Sequence, residues 1–293
     1  MSSPSPPPWL TVRAGRAPLL LCMPHTGTDI PPELEARFAS PWLARKDTDW
    51  WIERLYAFAE GLGASLVRTG ISRSVIDANR DPTGASLYPG QATTELCPTT
   101  TFDGEPLYRE GAAPTAAEIA QRRQSYFEPY HRAVSEQIAR LTALHPCVVV
   151  YDCHSIRSQV PRLFEGTLPH FNLGTFCGAS CAPQLTQRLE AVCDASPFSR
   201  VTNGRFKGGY TTRQYGQPSG GVHAVQMELA CRGYLAEPAA APDASNWPPR
   251  WDVASAAALQ GVLMQALQAC LSFAAAGHPG GAGRASIGPG MSR

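Results

Sequence analysis

The sequence predicts an α/β sandwich around a central sheet, and three features carry that prediction. Short apolar runs at 17–23, 64–69, 72–77 and 146–152 have the length and composition of buried strands. They alternate with helix-like segments near 48–61 and 115–143, the order that layers helices on a sheet. Two of the runs, Leu19-Leu20-Leu21-Cys22-Met23-Pro24-His25 and Val148-Val149-Val150-Tyr151-Asp152-Cys153-His154, end in a histidine, at the carboxyl edge where open α/β folds build their sites.

Along the chain, the Pro/Ser-rich residues 2–8 cannot make a regular element, so residues 1–16 are expected to form a mobile N-terminal tail. A single domain is expected over 17–272, followed by a mobile tail of Ala, Gly, Ser and Pro over 273–293. The run at 17–23 delivers His25, and Asp47-Thr48-Asp49 supplies an N-cap and an acidic first turn for the helix at 48–61. The run at 72–77 ends in Asn79-Arg80. Segment 79–113 has no periodicity and many turn formers; a loop of that length inside a compact domain is usually functional, and it is expected to lie over the site. Asn203–Gly221, rich in glycine, reads as a second wall, and 222–234 as an apolar helix carrying Glu228.

Composition narrows the partners. With 25 basic and 24 acidic residues, the chain has no electrostatic footprint for nucleic acid or an anionic membrane; a small-molecule substrate is expected. No segment approaches the roughly 20 apolar residues that span a bilayer, and the N-terminus does not read as a signal peptide. Nine cysteines without CxxC pairing read as small buried hydrophobes in a reducing, cytoplasmic setting.

The chemistry starts from His25 and His154, because imidazole is the commonest metal ligand. A hydrolytic zinc site usually has three protein ligands, so a third side chain is required. Asp49 is the chosen one, with Asp47 and Asp29 as possible substitutes. Asp152 lies two residues before His154, hence on the same face of a strand, where it can orient the imidazole. Glu228 is a carboxylate in an apolar run, costly to bury unless put to use, and removing a proton from attacking water is such a use. Arg73, Arg80 and Arg213 sit in site-forming segments, where a guanidinium can grip a carboxylate with two prongs.

Together these segments resemble the N-formylglutamate amidohydrolase family. The match is carried by Met23-Pro24-His25-Thr26-Gly27 with Ile30-Pro31; Asp47-Thr48-Asp49; Ser72-Arg73 with Ile76-Asp77-Ala78-Asn79-Arg80; and Asp152-Cys153-His154-Ser155. Phe206–Gly216 and Val222–Leu229 follow in family order. The resemblance implies a three-layer αβα sandwich with a mixed central sheet, zinc-exopeptidase-like, and metal-dependent hydrolysis of N-formyl-L-glutamate in histidine degradation. It implies one divalent metal, zinc first among the candidates, on His25 and His154, with Glu228 as general acid/base; the His-x-x-Glu pair of the related zinc carboxypeptidases is absent, Thr28 standing three residues after His25, and the third ligand is assigned to Asp49 by inference. Asn79-Arg80 looks like a carboxylate-binding pair. In this reading Arg73 helps to stabilise the oxyanion, and Arg80 and Arg213 hold the two carboxylates of a dicarboxylate substrate.

Competing readings remain within reach of the same residues. Another N-acyl acidic amino acid or a peptide could be the substrate. Cys153 beside His154 suggests a cysteine nucleophile, although neighbours on a strand face opposite ways. A metal-free binding module is the non-enzymatic alternative.

Overall fold

A computed structural model describes residues 6–277. Seven strands, β1 (Leu10–Arg13), β2 (Leu19–Met23), β3 (Ser65–Thr69), β4 (Val148–Ile156), β5 (Phe171–Gly174), β6 (Arg200–Thr202) and β7 (Val222–Ala230), form one sheet in the order β1-β3-β2-β4-β7-β5-β6. The pairs β1–β3 and β7–β5 are antiparallel and the other four are parallel, so the sheet is mixed. The helices are α1 (Pro32–Glu35), α2 (Ile52–Leu55), α3 (Ala116–Arg122), α4 (Glu128–Thr142), α5 (Pro183–Asp194), α6 (Tyr210–Tyr215) and α7 (Val253–Ala275).

Helices cover both faces of the sheet, giving the expected αβα layering. On one face α4 sets Tyr130, Ala133, Val134 and Leu141 against Leu20, Cys22, Val148, Val150 and Ala224. On the other, α5 and α7 set Leu185, Leu189, Leu259, Leu263 and Leu267 against Leu19, Leu21, Val149, Tyr151, Val225 and Met227. The central strands therefore bury both sides, and all nine residues of β4 and of β7 are buried. The helix starts follow local chemistry. Thr115 and Glu118 close a reciprocal capping box on α3, and Asp252 accepts the Ala254 and Ser255 amides at the head of α7.

Several sequence expectations are corrected. Residues 222–230 form a central strand, not a helix; burial on both faces removes the polar/apolar alternation by which a strand is read. Residues 72–77 form no strand: Ser72 makes a lone bridge to Gly27 and 73–75 are a turn, tied by the Val75 amide to the Ser72 carbonyl and by the Ser72 hydroxyl to the Ala44 carbonyl. The helix expected over 48–61 starts only after Trp51, at φ 64°, and Tyr56 separates its single turn, α2, from a 3-10 turn at Ala57–Glu60. Within the expected N-terminal tail, Leu10–Arg13 is an edge strand paired with β3; residues 1–5 lie outside the described residues. The expected C-terminal tail begins inside α7, which runs to Ala275, and 278–293 lie outside the described residues. By length and mean hydropathy α7 reaches the range of a membrane span, which the sequence reading passed over. Its buried residues pack into the core beneath the sheet, as in the core helix of a globular fold.

Candidate active site

Alternation along β4 and β7 builds the floor of the site. On β4, Val148, Val150, Asp152 and His154 share one face; on β7, Val222, Ala224, Gln226 and Glu228 do. Each face is apolar at its start, under α4, and polar towards its carboxyl end. The parallel register sets His154 opposite Glu228. His25 arrives from the loop after β2, which pairs with β4 on its other side.

One ligand atom each from His25, Asp49 and His154 can be chosen so that all lie within 4.8 Å of one another, and all three residues are buried. Asp49 Oδ2 is 3.1 Å from His154 Nδ1 and 3.6 Å from His25 Nδ1. The remaining ring nitrogens are engaged by other carboxylates: His25 Nε2 lies 2.7 Å from Asp77 Oδ1, and His154 Nε2 lies 2.9 Å from Asp152 Oδ2. This carboxylate–imidazole arrangement fixes the tautomer and leaves both Nδ1 atoms facing Asp49. His25 Nδ1 is buried with no hydrogen-bond partner among the described residues. An orphaned nitrogen beside a second imidazole and a carboxylate fits a divalent metal well.

The electrostatics follow from this crowding. Burial pushes Asp49 up, but the neighbouring His25 and His154 outweigh it and hold the carboxyl below its usual range. Burial opposes charge on His154, yet Asp152 and Asp49 together raise its pKa well above that of a free imidazole. Asp77 is buried too, but Arg80, His25 and Arg73 keep it well below the usual carboxylate range. Glu228 differs: burial dominates and raises it to about 7, so it can exchange a proton near neutrality. Its Oε2 accepts a 3.0 Å bond from Gln226 Nε2.

A cleft open to solvent lies over this cluster; His25, His154 and Glu228 line it together with Arg73, Asn79 and Arg80. Segment 79–113 contributes Tyr88, Thr94 and Phe102 to the wall, and 203–221 contributes Arg205, Phe206 and Gly209. The two segments are pinned together at the Tyr88 hydroxyl, which donates to the Gly208 carbonyl and accepts from the Lys207 amide. Arg73 donates to Asp77 at 2.7 Å, lies 3.4 Å from Asp49, and covers the Phe102 ring at 4.7 Å. Arg80 donates to the Thr94 carbonyl and hydroxyl and stands 3.7 Å from Asp77.

Asn79 lines the cleft, but its amide is spent on the protein. Its Oδ1 accepts the Thr211 amide, which turns Nδ2 towards Asp152 Oδ2 at 3.0 Å and the edge of His154. Gly209 makes room for this, since a Cβ there would stand 2.4 Å from Asn79 Nδ2. Arg213 does not line the cleft. Its guanidinium covers the Tyr88 and Phe176 rings at 5.1 and 4.6 Å, and Nε donates to the Gly208 carbonyl. The alternative third ligands also fall elsewhere. Asp47 accepts the Phe102 amide and is raised to about 6 by burial, and neither it nor Asp29 belongs to the histidine cluster. Cys153 points into the opposite core, where burial pushes its thiol well up, a poor setting for a nucleophile.

Two residues without a role in the sequence reading emerge here. Asp77 sits inside the Ile76–Arg80 segment, four residues after Arg73, and that spacing beside an arginine was the available signal. Arg205 precedes Phe206 in the glycine-rich wall, and nothing local in the sequence separates it from Arg213.

A family model described as N-formylglutamate amidohydrolase matches residues 17–235. A protein named N-formylglutamate deformylase from Pseudomonas aeruginosa is 53% identical over 231 residues, 78% of this chain and 86% of that protein. One of the same name from Pseudomonas putida is 45% identical over 267 residues, 91% of this chain and 97% of that protein. Among solved structures, an N-formylglutamate amidohydrolase from Ralstonia eutropha superposes with a TM-score of 0.73 at 21% identity, covering 92% of this chain and 99% of the other. A gene product of Agrobacterium tumefaciens gives 0.65 at 20% identity, covering 90% and 95%. These two structural likenesses speak for the fold.

Proposed function

This chain belongs to the N-formylglutamate amidohydrolase family, and from that membership we propose that it hydrolyses N-formyl-L-glutamate to formate and L-glutamate. The observation that carries the reading is the buried His25–Asp49–His154 cluster at the floor of a cleft that Glu228 also lines. Those three side chains would hold one divalent ion, with zinc favoured by two imidazoles and a carboxylate. When bound, the ion supplies Lewis-acid activation of the formyl carbonyl and of water.

The chain's own groups do the rest. Glu228 takes a proton from the attacking water and returns it to the departing amine, a task suited to a carboxyl balanced near neutrality. Arg73, held in place by Asp77 and Asp49, faces the cleft as a fixed positive charge for the developing oxyanion. Arg80, anchored on Thr94, takes one substrate carboxylate. Asn79 orients Asp152 and with it His154. We place the reaction in histidine degradation and in the cytoplasm; nine free cysteines, eight of them buried, are in keeping with a reducing compartment.

Metal analysis of the purified protein, followed by turnover of N-formyl-L-glutamate against N-acetyl-L-glutamate and a peptide substrate, tests this. The expectation is chelator-sensitive deformylation restored by zinc, with His154→Ala both metal-poor and inactive. Full activity after exhaustive chelation, or a preference for the acetyl or peptide substrate, overturns it.

A further inference from the structure

We infer that Arg205, not Arg213, reads the side-chain carboxylate of the substrate and is the residue that selects acidic over neutral N-formyl amino acids; the inference rests on the deformylation proposed above. Arg205 lines the same cleft as His25, His154, Glu228 and Arg80. Its guanidinium stands over both the Tyr88 and the Phe206 ring, each 5.3 Å away. Nε and Nη2 donate to the Leu163 and Ala92 carbonyls, both at 2.7 Å. These are neutral acceptors, and among the described residues no carboxylate forms an ion pair with Arg205. Nη1 is buried and has no hydrogen-bond partner among the described residues.

A charged donor left unpaired in this way is costly until an anion supplies the missing acceptor. The other cleft arginines are already committed: Arg73 to Asp77 and Asp49, and Arg80 in part to Asp77. A substrate with two carboxylates needs two cationic contacts, and Arg80 accounts for one. Arg80 stands beside the Asp77 that holds His25, whereas Arg205 makes no bond to any member of the histidine cluster. Arg205 is therefore the cleft guanidinium left for the second carboxylate, which in glutamate is that of the side chain. The two ring contacts and two carbonyl anchors fix the guanidinium before substrate arrives, which favours binding by cutting the ordering cost.

The test compares kcat/KM for N-formyl-L-glutamate and its neutral isostere N-formyl-L-glutamine in the wild type, Arg205→Met and Arg205→Lys. Arg205→Met is expected to lose on the order of 10- to 100-fold on N-formyl-L-glutamate while changing less than about threefold on N-formyl-L-glutamine. Arg205→Lys, which keeps the charge but not the planar fork, is expected to show the same selective loss at several-fold. The glutamine substrate reports on the integrity of the site, and the lysine variant carries the test if the methionine variant does not fold. Equal losses on both substrates, or no loss on N-formyl-L-glutamate, overturn the inference and leave the proposed reaction standing. A wild-type enzyme inactive on N-formyl-L-glutamate removes both.

Discussion

Replacing Asp77 with asparagine perturbs the metal cluster without touching any of its three candidate ligands. Every group around this carboxylate is a donor: His25 Nε2 at 2.7 Å and the Asn79 amide at 2.8 Å on Oδ1, and Arg73 Nη2 at 2.7 Å on Oδ2. An amide has one oxygen and one NH2, so whichever way it is placed a donor meets a donor. With the NH2 towards Arg73, a buried ion pair is broken. With it towards His25, the imidazole loses the acceptor that fixes its tautomer. A buried unsatisfied donor costs about 1–3 kcal/mol, and a broken buried pair about 3–5 kcal/mol, so a loss of about 3 kcal/mol in folding stability is expected. Carboxylates behind a ligating histidine are typically worth 10–100-fold in metal affinity, or about 1.4–2.7 kcal/mol. Zinc affinity by competition with a chromophoric chelator, and urea unfolding of the metal-free protein, give the two numbers separately. An Asp77→Asn protein that binds zinc within twofold of wild type, at unchanged stability, would refute the role given to Asp77.

Three further outcomes are expected. Glu228→Gln keeps the shape and removes the base, so kcat should fall by about 10²–10⁴-fold with metal content unchanged; near-wild-type turnover in a metal-loaded variant rules the role out. Arg80→Met should lower kcat/KM by roughly 1.5–3 kcal/mol, mainly through KM, and steady-state kinetics showing an unchanged value would exclude its carboxylate contact. His131, packed tilted against Phe127 and edge-on to Tyr130 and Tyr210, has its pKa lowered by burial to about 4. Its folded pKa lies below the unfolded value of about 6.5, so its contribution is complete above that pH and is lost as pH falls towards 4. The full loss is on the order of 3 kcal/mol, and urea unfolding of wild type and His131→Gln across that window should show the wild type falling more steeply; parallel pH dependences would contradict this.

Much of the site was legible because its residues sit where one-dimensional pattern changes. His25 and His154 stand at or near the ends of apolar runs, and Asp49 lies in an acidic turn just before a helix; the fold brings these three together. Glu228 was visible as a carboxylate in an apolar stretch, although that stretch is a strand. A strand covered on both faces and a buried helix present the same unbroken run of apolar residues, and local composition does not separate them. Arg205 and Arg213 both stand over the Tyr88 ring, at 5.3 and 5.1 Å, yet only Arg205 lines the cleft. That is set by contacts between segments more than 110 residues apart, such as the 3.0 Å bond from Tyr88 to Gly208 with |i−j| of 120, and no local pattern encodes it. Asp77 was hidden for a related reason: beyond the local Arg73, Asn79 and Arg80, the side chain it holds, His25, comes from a loop 52 residues earlier.

The alternating faces of β4 and β7 set how this enzyme can change. Losing or gaining one residue early in either strand would turn Cys153 or Met227 towards the cleft and drive His154 or Glu228 into the aliphatic core under α7. Two ionisable groups would be interred and the reacting pair dispersed in one step. Length changes in lineages of this fold should therefore collect in the exposed stretch around 82–92, which borders the cleft but carries none of its floor. Substrate range is then free to drift at the rim while the strand register stays locked.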